Sequence, residues 1–335
     1  MDHSLAKKII LDLCKHAFED ESIKLDVFGS IATGLALETS DIDLVVTGLK
    51  IEGRDDAISH IRTLKDHFEG CQYFSNIKAI EGASIPVIKL EADLQKLREN
   101  ENSKNTSIVE SEMRFLQIDI TFEDSKEKKS DFFWEGFEWN TSKLHLGMKS
   151  IHLVKSYIKE YVHLKELTLC IKKLLSVRDL NSPYQGGLSS YGVIIMIVAY
   201  MNFFSLQNAW VNISQLLIHF FDFYGSKFEE NKVGIMINRG GWYYPFNSLS
   251  DCPIVIKDPL NIENNIGKNT YRITDIKAQF LRAANILETD KNEFLKASPA
   301  DLKRQEDAIA QIDSPVFCDK LMFLNRIYKK EESHE

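Results

Sequence analysis

At 335 residues, with 44% hydrophobic and 27% charged residues, the chain has the length and composition of a globular protein of two domains. Its net charge of −8 excludes a wholly basic nucleic-acid-coating protein, so any hold on nucleic acid must be local, metal-assisted or supplied by a partner. The five cysteines form no C-x-x-C pair, which predicts a reducing compartment and no cysteine zinc site.

An amphipathic helix is predicted near the N-terminus, over residues 5–18. Acidic residues run through this segment, unlike a signal or transit peptide. The most apolar run, residues 191–204, is shorter than the roughly 20 residues of a membrane span and is predicted to be a buried core helix. We therefore expect an intracellular, soluble protein, with the nucleus favoured over the cytoplasm.

A glycine-serine turn and a pair of aspartates follow the strand predicted at residues 24–28. Gly29 permits a tight turn close to a ligand, and Ser30 can offer a hydroxyl and an N–H to phosphate. The strand period of two places Asp41 and Asp43 on one face, where they could hold divalent metal against a triphosphate. Each piece alone is commonly a plain turn or a solvated edge. Their combination and order indicate a nucleotide site, although neither a P-loop nor a dinucleotide-binding motif is present.

Residues 54–123 contain three segments with apolar periodicity, then a charged segment and a further strand. A helix is predicted at 54–68, with strands at 73–79 and 85–90. Residues 91–107 are highly charged and rich in Asn and Ser, and are predicted to form a partly helical surface insertion. Residues 114–123 then alternate as a half-buried strand.

A third aspartate, Asp119, lies within that last strand on the same face as Gln117 and Thr121. A merely solvated Asp is one reading. If the strand lies beside the one that carries Asp41 and Asp43, three carboxylates converge and would repel one another. Two Mg²⁺ ions would relieve that repulsion and provide the two-metal arrangement of nucleotidyl transfer.

The second half of the chain has helical periodicity almost throughout. Helices are predicted at residues 144–161, 164–177, 189–204, 214–224, 275–288 and 305–327, and short strands at 234–238 and 242–245.

Three groups of motifs carry a resemblance to a known family. The pattern G-S…S-D-I-D, with Asp119 as third carboxylate, resembles the DNA-polymerase-β-type nucleotidyltransferase superfamily. Residues 180–192 (L-N-S-P-Y-Q-G-G-L-S-S-Y-G) and 216–243 resemble the central domain of noncanonical poly(A) polymerases and terminal uridylyltransferases. Residues 256–271 (I-K-D-P-L-N-I-E-N-N-I-G-K-N-T-Y) resemble that family's nucleotide-recognition motif. The similarity runs from about Val27 to Leu287 and is strongest to the poly(A) polymerase subunits of TRAMP-type RNA-surveillance complexes.

The resemblance implies an α+β protein of two domains. A mixed-sheet, polymerase-β-like catalytic domain would span residues 22–139 and include the charged insertion at about 91–107. A mainly helical central domain, of the type associated with poly(A) polymerases and oligoadenylate synthases, would combine residues 1–21 and 140–335. It would carry the nucleotide-recognition motif at about 254–271, and nucleotide would bind in the cleft between the two domains.

The same resemblance implies roles for individual residues. Asp41, Asp43 and Asp119 would be the catalytic carboxylates and would hold two Mg²⁺ or Mn²⁺ ions, and Asp119 would also help to activate the RNA 3′-hydroxyl. The residues expected to bind nucleotide are Gly29, Ser30 and Lys172 for the triphosphate, Asn140 and Thr141 for the ribose, Ser190 and Tyr191 for phosphate and base, and Asp258, Asn261 and Asn264 for the base.

Base choice is expected to depend on Asn264, because uridylyl-specific relatives carry a His at this position. Asn is more usual in adenylyltransferases, so we expect an enzyme that adds AMP from ATP to RNA 3′ ends. A terminal uridylyltransferase that uses UTP is the alternative, and an inactive scaffold subunit is a second one. The net charge also makes tight RNA binding by the chain alone unexpected, so we expect a partner: a zinc-knuckle protein, a helicase or an RNA-dependent RNA polymerase.

Overall fold

The computed structural model describes residues 2–83, 85–100, 114–123, 146–204, 213–238, 241–245 and 252–296. The chain divides into two compact units, Met1–Lys155 and Ser156–Glu335. The first is built around a sheet and the second is mainly helical, so the α+β class predicted from the sequence is confirmed.

A five-stranded mixed sheet forms the centre of the first unit. Its strands follow the order β1-β2-β5-β4-β3; β2 and β5 are parallel, and the other neighbours are antiparallel. Alternate residues of β5, such as Leu116, Ile118 and Ile120, are fully buried, as the period of two predicts. The strands are β1 (Lys24–Phe28), β2 (Ile42–Thr47), β3 (Phe74–Ile80), β4 (Val87–Asp93) and β5 (Phe115–Phe122).

Four helices accompany the sheet: α1 (Asp2–Phe18), α2 (Gly29–Thr33), α3 (Arg54–Glu69) and α4 (Leu94–Asn100). Helix α1 buries Ala6, Ile10 and Cys14 in the same hydrophobic core as the strands. The structure thus differs from the predicted division, which grouped residues 1–21 with the helical half. An amphipathic helix reveals in its sequence that one face is buried but not which element covers that face.

The charged segment predicted as an insertion at 91–107 begins within the core instead. Its first three residues complete β4, and Asp93 then caps α4 by accepting hydrogen bonds from the N–H groups of Gln95 at 3.1 Å and Lys96 at 3.3 Å. Leu94 and Leu97 are buried in the core of the unit. The part of the predicted insertion beyond residue 100 lies outside the described residues.

The described residues of the second unit form helices and two short hairpins. Helix α7 is apolar on all sides and is buried from Gly192 to Asn202, as expected of a core helix. None of the helices in the described ranges combines the length and apolar character needed to cross a membrane. The elements are α5 (Leu146–Glu160), within which the division between the units falls, α6 (Leu164–Val177), α7 (Ser190–Phe203), α8 (Ile213–Asp222), β6 (Val233–Asn238), β7 (Gly241–Pro245), β8 (Lys257–Asp258), β9 (Asn261–Asn265) and α9 (Ile273–Lys296).

Element boundaries follow the predictions closely where periodicity is strong. Strand β1 and helix α6 have the predicted limits, and α9 extends beyond its predicted end at residue 288. The β8–β9 hairpin was not predicted, because its residues are mostly polar and show no strand alternation. The helix predicted at 305–327 lies outside the described residues.

Candidate active site

The turn after β1 brings the backbone at Gly29 against a carboxylate. Gly29 has φ +65°, and a Cβ built on it would lie 1.9 Å from Oδ2 of Asp43. Only glycine leaves room for that carboxylate at this position. The short helix α2 starts here, and its end is fixed by Thr33, whose hydroxyl donates to the carbonyl oxygens of Gly29 at 3.1 Å and Ser30 at 3.0 Å.

Two of the predicted carboxylates lie at the same register on neighbouring strands. Asp43 of β2 is paired with Asp119 of β5 in the parallel ladder, and Asp43 is also paired with Phe28 of β1. The hydroxyl of Thr121 donates to the carbonyl oxygen of Leu44 at 3.3 Å and adds a side-chain bond between the two strands. Backbone pairing therefore sets the spacing of Asp43 and Asp119 before any ligand binds.

The Asp119 carboxylate forms an ion pair with the ammonium group of Lys89, its register partner on β4. The pKa of Asp119 is nevertheless raised above its ordinary value. Burial is the largest cause, the negative charge of Asp41 adds to it, and Lys89 opposes it. Asp41 precedes β2 and is thus close enough to Asp119 to affect its pKa.

The donor set fits the divalent metal ions that the resemblance implies. Asp43 and Asp119 are hard oxygen donors at one register, and Asp119 already holds a positive charge beside it. In the described part of the chain, no three His, Cys, Asp or Glu side chains are arranged so as to hold one metal ion together. Metal binding would therefore require Asp119 to exchange Lys89 for a metal cation.

A second group of predicted site residues meets around Asp258 in the second unit. The buried Asp258 carboxylate accepts hydrogen bonds from the Tyr191 hydroxyl at 3.1 Å, the Leu260 N–H at 2.9 Å and the Asn264 side-chain amide at 3.1 Å. The pKa of Tyr191 is raised well above its usual value, mainly by burial and further by the Asp258 charge. Its hydroxyl therefore remains a hydrogen-bond donor at neutral pH.

The β8–β9 hairpin positions the residues of this group that the sequence predicts to face the base. Asp258 and Asn261 are register partners across it, and Asn261 is exposed. Asn265 ties the hairpin down: its Oδ1 accepts from the N–H groups of Ile256 at 2.8 Å and Gly267 at 2.9 Å. Asn264 is thus held beside Asp258 by the backbone as well as by its own amide.

The start of helix α7 carries Ser190 and Tyr191 as its first two residues. Ser189 caps this helix, accepting a hydrogen bond from the Gly192 N–H at 3.0 Å. On the neighbouring helix α6, Lys172 is buried, with 6% of its surface exposed, so it is not the solvated helix lysine that composition alone would suggest.

Asp43 and Asp119 are thus register partners in the first unit, and hydrogen bonds join Tyr191 and Asn264 to Asp258 in the second. Asn140 and Thr141 lie outside the described residues. Sequence reasoning missed Lys89, whose contact with Asp119 depends on the strand register. A lysine in the otherwise apolar run I-P-V-I-K-L was the signal that could have drawn attention to it.

Two segments of the chain match known protein families. Residues 3–113 match the family described as "Poly(A) RNA polymerase, mitochondrial-like, central palm domain", and residues 212–264 match "Cid1 family poly A polymerase". Over these two segments the chain is similar to noncanonical poly(A) polymerases. The resemblance to the noncanonical poly(A) polymerase family predicted from the sequence is therefore confirmed, and the first match includes α1 together with strands β1 to β4.

Two proteins that are similar to this chain differ in their description, since one of them is named as inactive. The chain is 24% identical to poly(A) RNA polymerase cid14 of Schizosaccharomyces pombe over 85% of its own length and 38% of that protein. It is 26% identical to the inactive non-canonical poly(A) RNA polymerase protein Trf4-2 of Drosophila melanogaster, over 82% of its own length and 61% of that protein. The chain therefore spans less than two thirds of either relative.

Solved structures of similar proteins share the fold. The polymerase core of TRAMP, an RNA surveillance complex, superposes with a TM-score of 0.66 at 24% identity, covering 88% of this chain and 82% of that one. The Cid1 poly(U) polymerase, in a study of UTP selectivity, was solved as a His-to-Asn mutant bound to MgATP. That structure has a TM-score of 0.59 at 23% identity and covers 86% of this chain and 90% of that one.

Proposed function

We propose that this chain is a template-independent RNA nucleotidyltransferase that adds AMP from ATP to RNA 3′ ends. The observation that carries the proposal is the pairing of Asp43 with Asp119 at one register of the parallel ladder, against the turn at Gly29. Paired carboxylates beside a turn with no Cβ suit a site where metal-bound phosphate must approach the backbone.

In the proposed mechanism the chain supplies binding, orientation and a proton acceptor. Gly29 and Ser30 orient the triphosphate at the end of β1. Asp119 would face the RNA 3′-hydroxyl and assist removal of its proton. Two divalent metal ions held by Asp41, Asp43 and Asp119 would lower the pKa of that hydroxyl and neutralise charge on the phosphates.

The choice of ATP rests on the hydrogen bonds of Asn264. A carboxylate can only accept, so the Asn264 group that contacts Asp258 must be the NH₂ group. This contact orients the amide, and its Oδ1 can then accept a hydrogen bond from a ligand. Adenine offers an amino donor on its Watson–Crick edge, whereas uracil offers a carbonyl acceptor at the equivalent position. The His-to-Asn Cid1 mutant with MgATP supports the same direction.

Two alternatives remain within the same fold. A UTP-using enzyme would share the carboxylates and differ at the base-facing residues, and a single side chain can give weak selectivity. An inactive scaffold has a precedent in the Drosophila relative. The presence of Asp41, Asp43, Asp119 and Ser30 together favours an active enzyme over that scaffold.

A protein partner that delivers RNA is part of the proposal. The net charge of −8 offers little general attraction for a polyanion, so a zinc-knuckle protein, a helicase or an RNA-dependent RNA polymerase would supply it. We also propose that the protein acts inside the cell, in the nucleus.

The test is 3′-extension of a labelled oligoadenylate by the purified chain with Mg²⁺ and each NTP in turn. We expect a ladder with ATP that disappears in the Asp41→Ala/Asp43→Ala double variant. We further expect Asn264→His to shift the ratio of ATP to UTP use by about tenfold towards UTP. Asn269→His, at an exposed turn position just beyond the hairpin, is the matched control and should leave the ratio unchanged.

Each other outcome has a definite meaning. A stronger ladder with UTP from the parent chain would overturn the ATP assignment and leave the chemistry in place. No extension with any nucleotide, alone or with candidate partners, would favour the inactive scaffold.

A further inference from the structure

A line of four charged side chains crosses the sheet at one register. Asp43 of β2 pairs with Asp119 of β5, Asp119 with Lys89 of β4, and Lys89 with Lys78 of β3. Register partners point to the same face of a sheet, so these side chains share the face opposite to the buried Ile120. Two acids are therefore followed by two bases along one line.

A bulge in β3 places Lys78 in this line. Ser75 pairs with Glu91 and Lys78 with Lys89, so β3 has one residue more than β4 between these pairs. Asn76 adopts a left-handed conformation with φ +53°, and its side-chain amide contacts the Glu91 carboxylate. Without the bulge, strand alternation would direct Lys78 to the other face. Bulges next to active sites commonly redirect a side chain in this way.

The pairing of Lys78 with Lys89 sets two positive charges opposite each other. Like charges at directly opposed positions destabilise a strand pair. Asp119 compensates Lys89 through their ion pair, whereas Lys78 lies one strand further from the carboxylates and is exposed. A ligand with negative charge would remove the repulsion, so this end of the line has the character of an anion site.

The sheet order separates this lysine pair from the turn proposed to bind the triphosphate. Gly29 and Ser30 follow β1 at one edge, and Lys78 lies on β3 at the opposite edge, with the carboxylates between them. Phosphoryl groups are transferred with the attacking and leaving oxygens roughly in line on opposite sides of the phosphorus. The RNA, whose 3′-hydroxyl is the attacking group, must then reach the carboxylates from the β4–β3 side of the sheet.

We infer that Lys89 and Lys78 form a track for the backbone phosphates of the RNA 3′ end. This inference rests on the proposed function and names the side of the carboxylates from which RNA enters. Adjacent strands are about 5 Å apart, so the two ammonium groups can serve successive phosphates rather than one. The two lysines contact phosphate groups and not bases, so the track binds RNA of any sequence.

Lys78 is the residue to test, because replacing it leaves the contact between Lys89 and Asp119 intact. Binding of fluorescently labelled oligoadenylate and oligouridylate is measured by anisotropy at several salt concentrations, without nucleotide. We expect Lys78→Ala to raise both dissociation constants by the same factor, about fivefold. The slope of log K against log salt should fall by about 0.7, as for one lost contact to a single strand.

Three further measurements fix the interpretation. Lys78→Arg should restore both affinities, and Lys65→Ala, a lysine on helix α3 paired with Glu69, should change neither. Affinity for a fluorescent ATP derivative should be the same in Lys78→Ala as in the parent chain. Weakened ATP binding with unchanged RNA binding would overturn the inference, as would no change in either. A parent chain that binds neither RNA, both alone and together with the candidate partner proteins, would instead overturn the proposed function itself.

Discussion

The two groups of site residues differ in how their carboxylates are held. Asp119 and Asp43 lie on a sheet at a spacing set by backbone pairing, and the cation beside Asp119 is a lysine that a metal ion can replace. Asp258 is buried and accepts three hydrogen bonds from Tyr191, Leu260 and Asn264. In the first arrangement a lysine side chain compensates the charge of Asp119, whereas in the second neutral hydrogen-bond donors surround the carboxylate of Asp258.

This difference matches two tasks. Chemistry on a triphosphate needs negative charge that incoming cations can neutralise, and discrimination between bases needs donors and acceptors fixed in advance. Removal of one charge from the sheet site should therefore lower the activity strongly and leave the stability of the fold nearly unchanged. The Asp258 network should show smaller effects that concentrate on nucleotide affinity.

The largest effect is expected for Asp43→Asn, which keeps the size of the side chain and removes its charge. We expect 3′-extension activity to fall by about 10³-fold because cation binding is lost. The melting temperature should stay the same or rise, since repulsion with Asp119 is relieved. Asp26→Asn on β1 of the same sheet is the control for a general charge effect. Equal losses of activity in the two variants would contradict a local role for Asp43.

An intermediate effect is expected for Gly29→Ala, with Gly34→Ala as its matched partner. Both glycines have positive φ, +65° and +73°, so both substitutions incur a backbone cost of about 1–2 kcal/mol. A Cβ at Gly34 meets nothing within 4 Å, whereas one at Gly29 meets Asp43.

Displacement of the Asp43 carboxylate should add a loss of about 10²-fold in activity to Gly29→Ala alone. Thermal unfolding and extension rates, measured on both variants, separate the cost of backbone strain from the effect of displacing Asp43. If Gly34→Ala loses as much activity, backbone strain and not the contact with Asp43 is responsible.

The smallest effect is expected for Tyr191→Phe in the Asp258 network. Loss of one hydrogen bond to a carboxylate should weaken ATP binding by about fivefold. Because burial and Asp258 raise the pKa of Tyr191 well above its usual value, the hydroxyl stays protonated at all pH values up to its ordinary pKa near 10. The ratio of ATP KM between variant and parent should therefore be constant from about pH 6 to pH 9. A ratio that falls towards unity above about pH 8 would mean that the tyrosine ionises in the free enzyme.

Most of the sheet was predictable because its strands alternate and its loops carry turn residues. The strand of Asp119 is an example: Leu116, Ile118 and Ile120 alternate with polar residues, and the predicted face is the one observed. The same pattern placed Asp119 opposite to the core. Its partner Lys89 could not be predicted, because an alternating strand does not specify which neighbour it pairs with or at what register.

Two other differences have a common physical origin. Helix α4 was predicted only as part of a charged insertion, since its two buried leucines are outnumbered by polar residues. The β8–β9 hairpin was missed because the Asn265 side chain, and not an apolar stripe, holds it together. Short elements stabilised by a few specific contacts carry little periodicity, so they become visible only in three dimensions.

The parallel pairing of β2 with β5 also governs how the protein assembles. Its two strands are far apart in the chain, whereas β1 with β2 and β3 with β4 are joined by shorter connections. Contacts between distant segments incur the larger loop-closure entropy and tend to form late in folding. Asp43 and Asp119 therefore meet only when the sheet closes. Under the proposed function, a metal ion held by both carboxylates would bind the completed fold in preference to its precursors, so metal binding would also favour completion of folding.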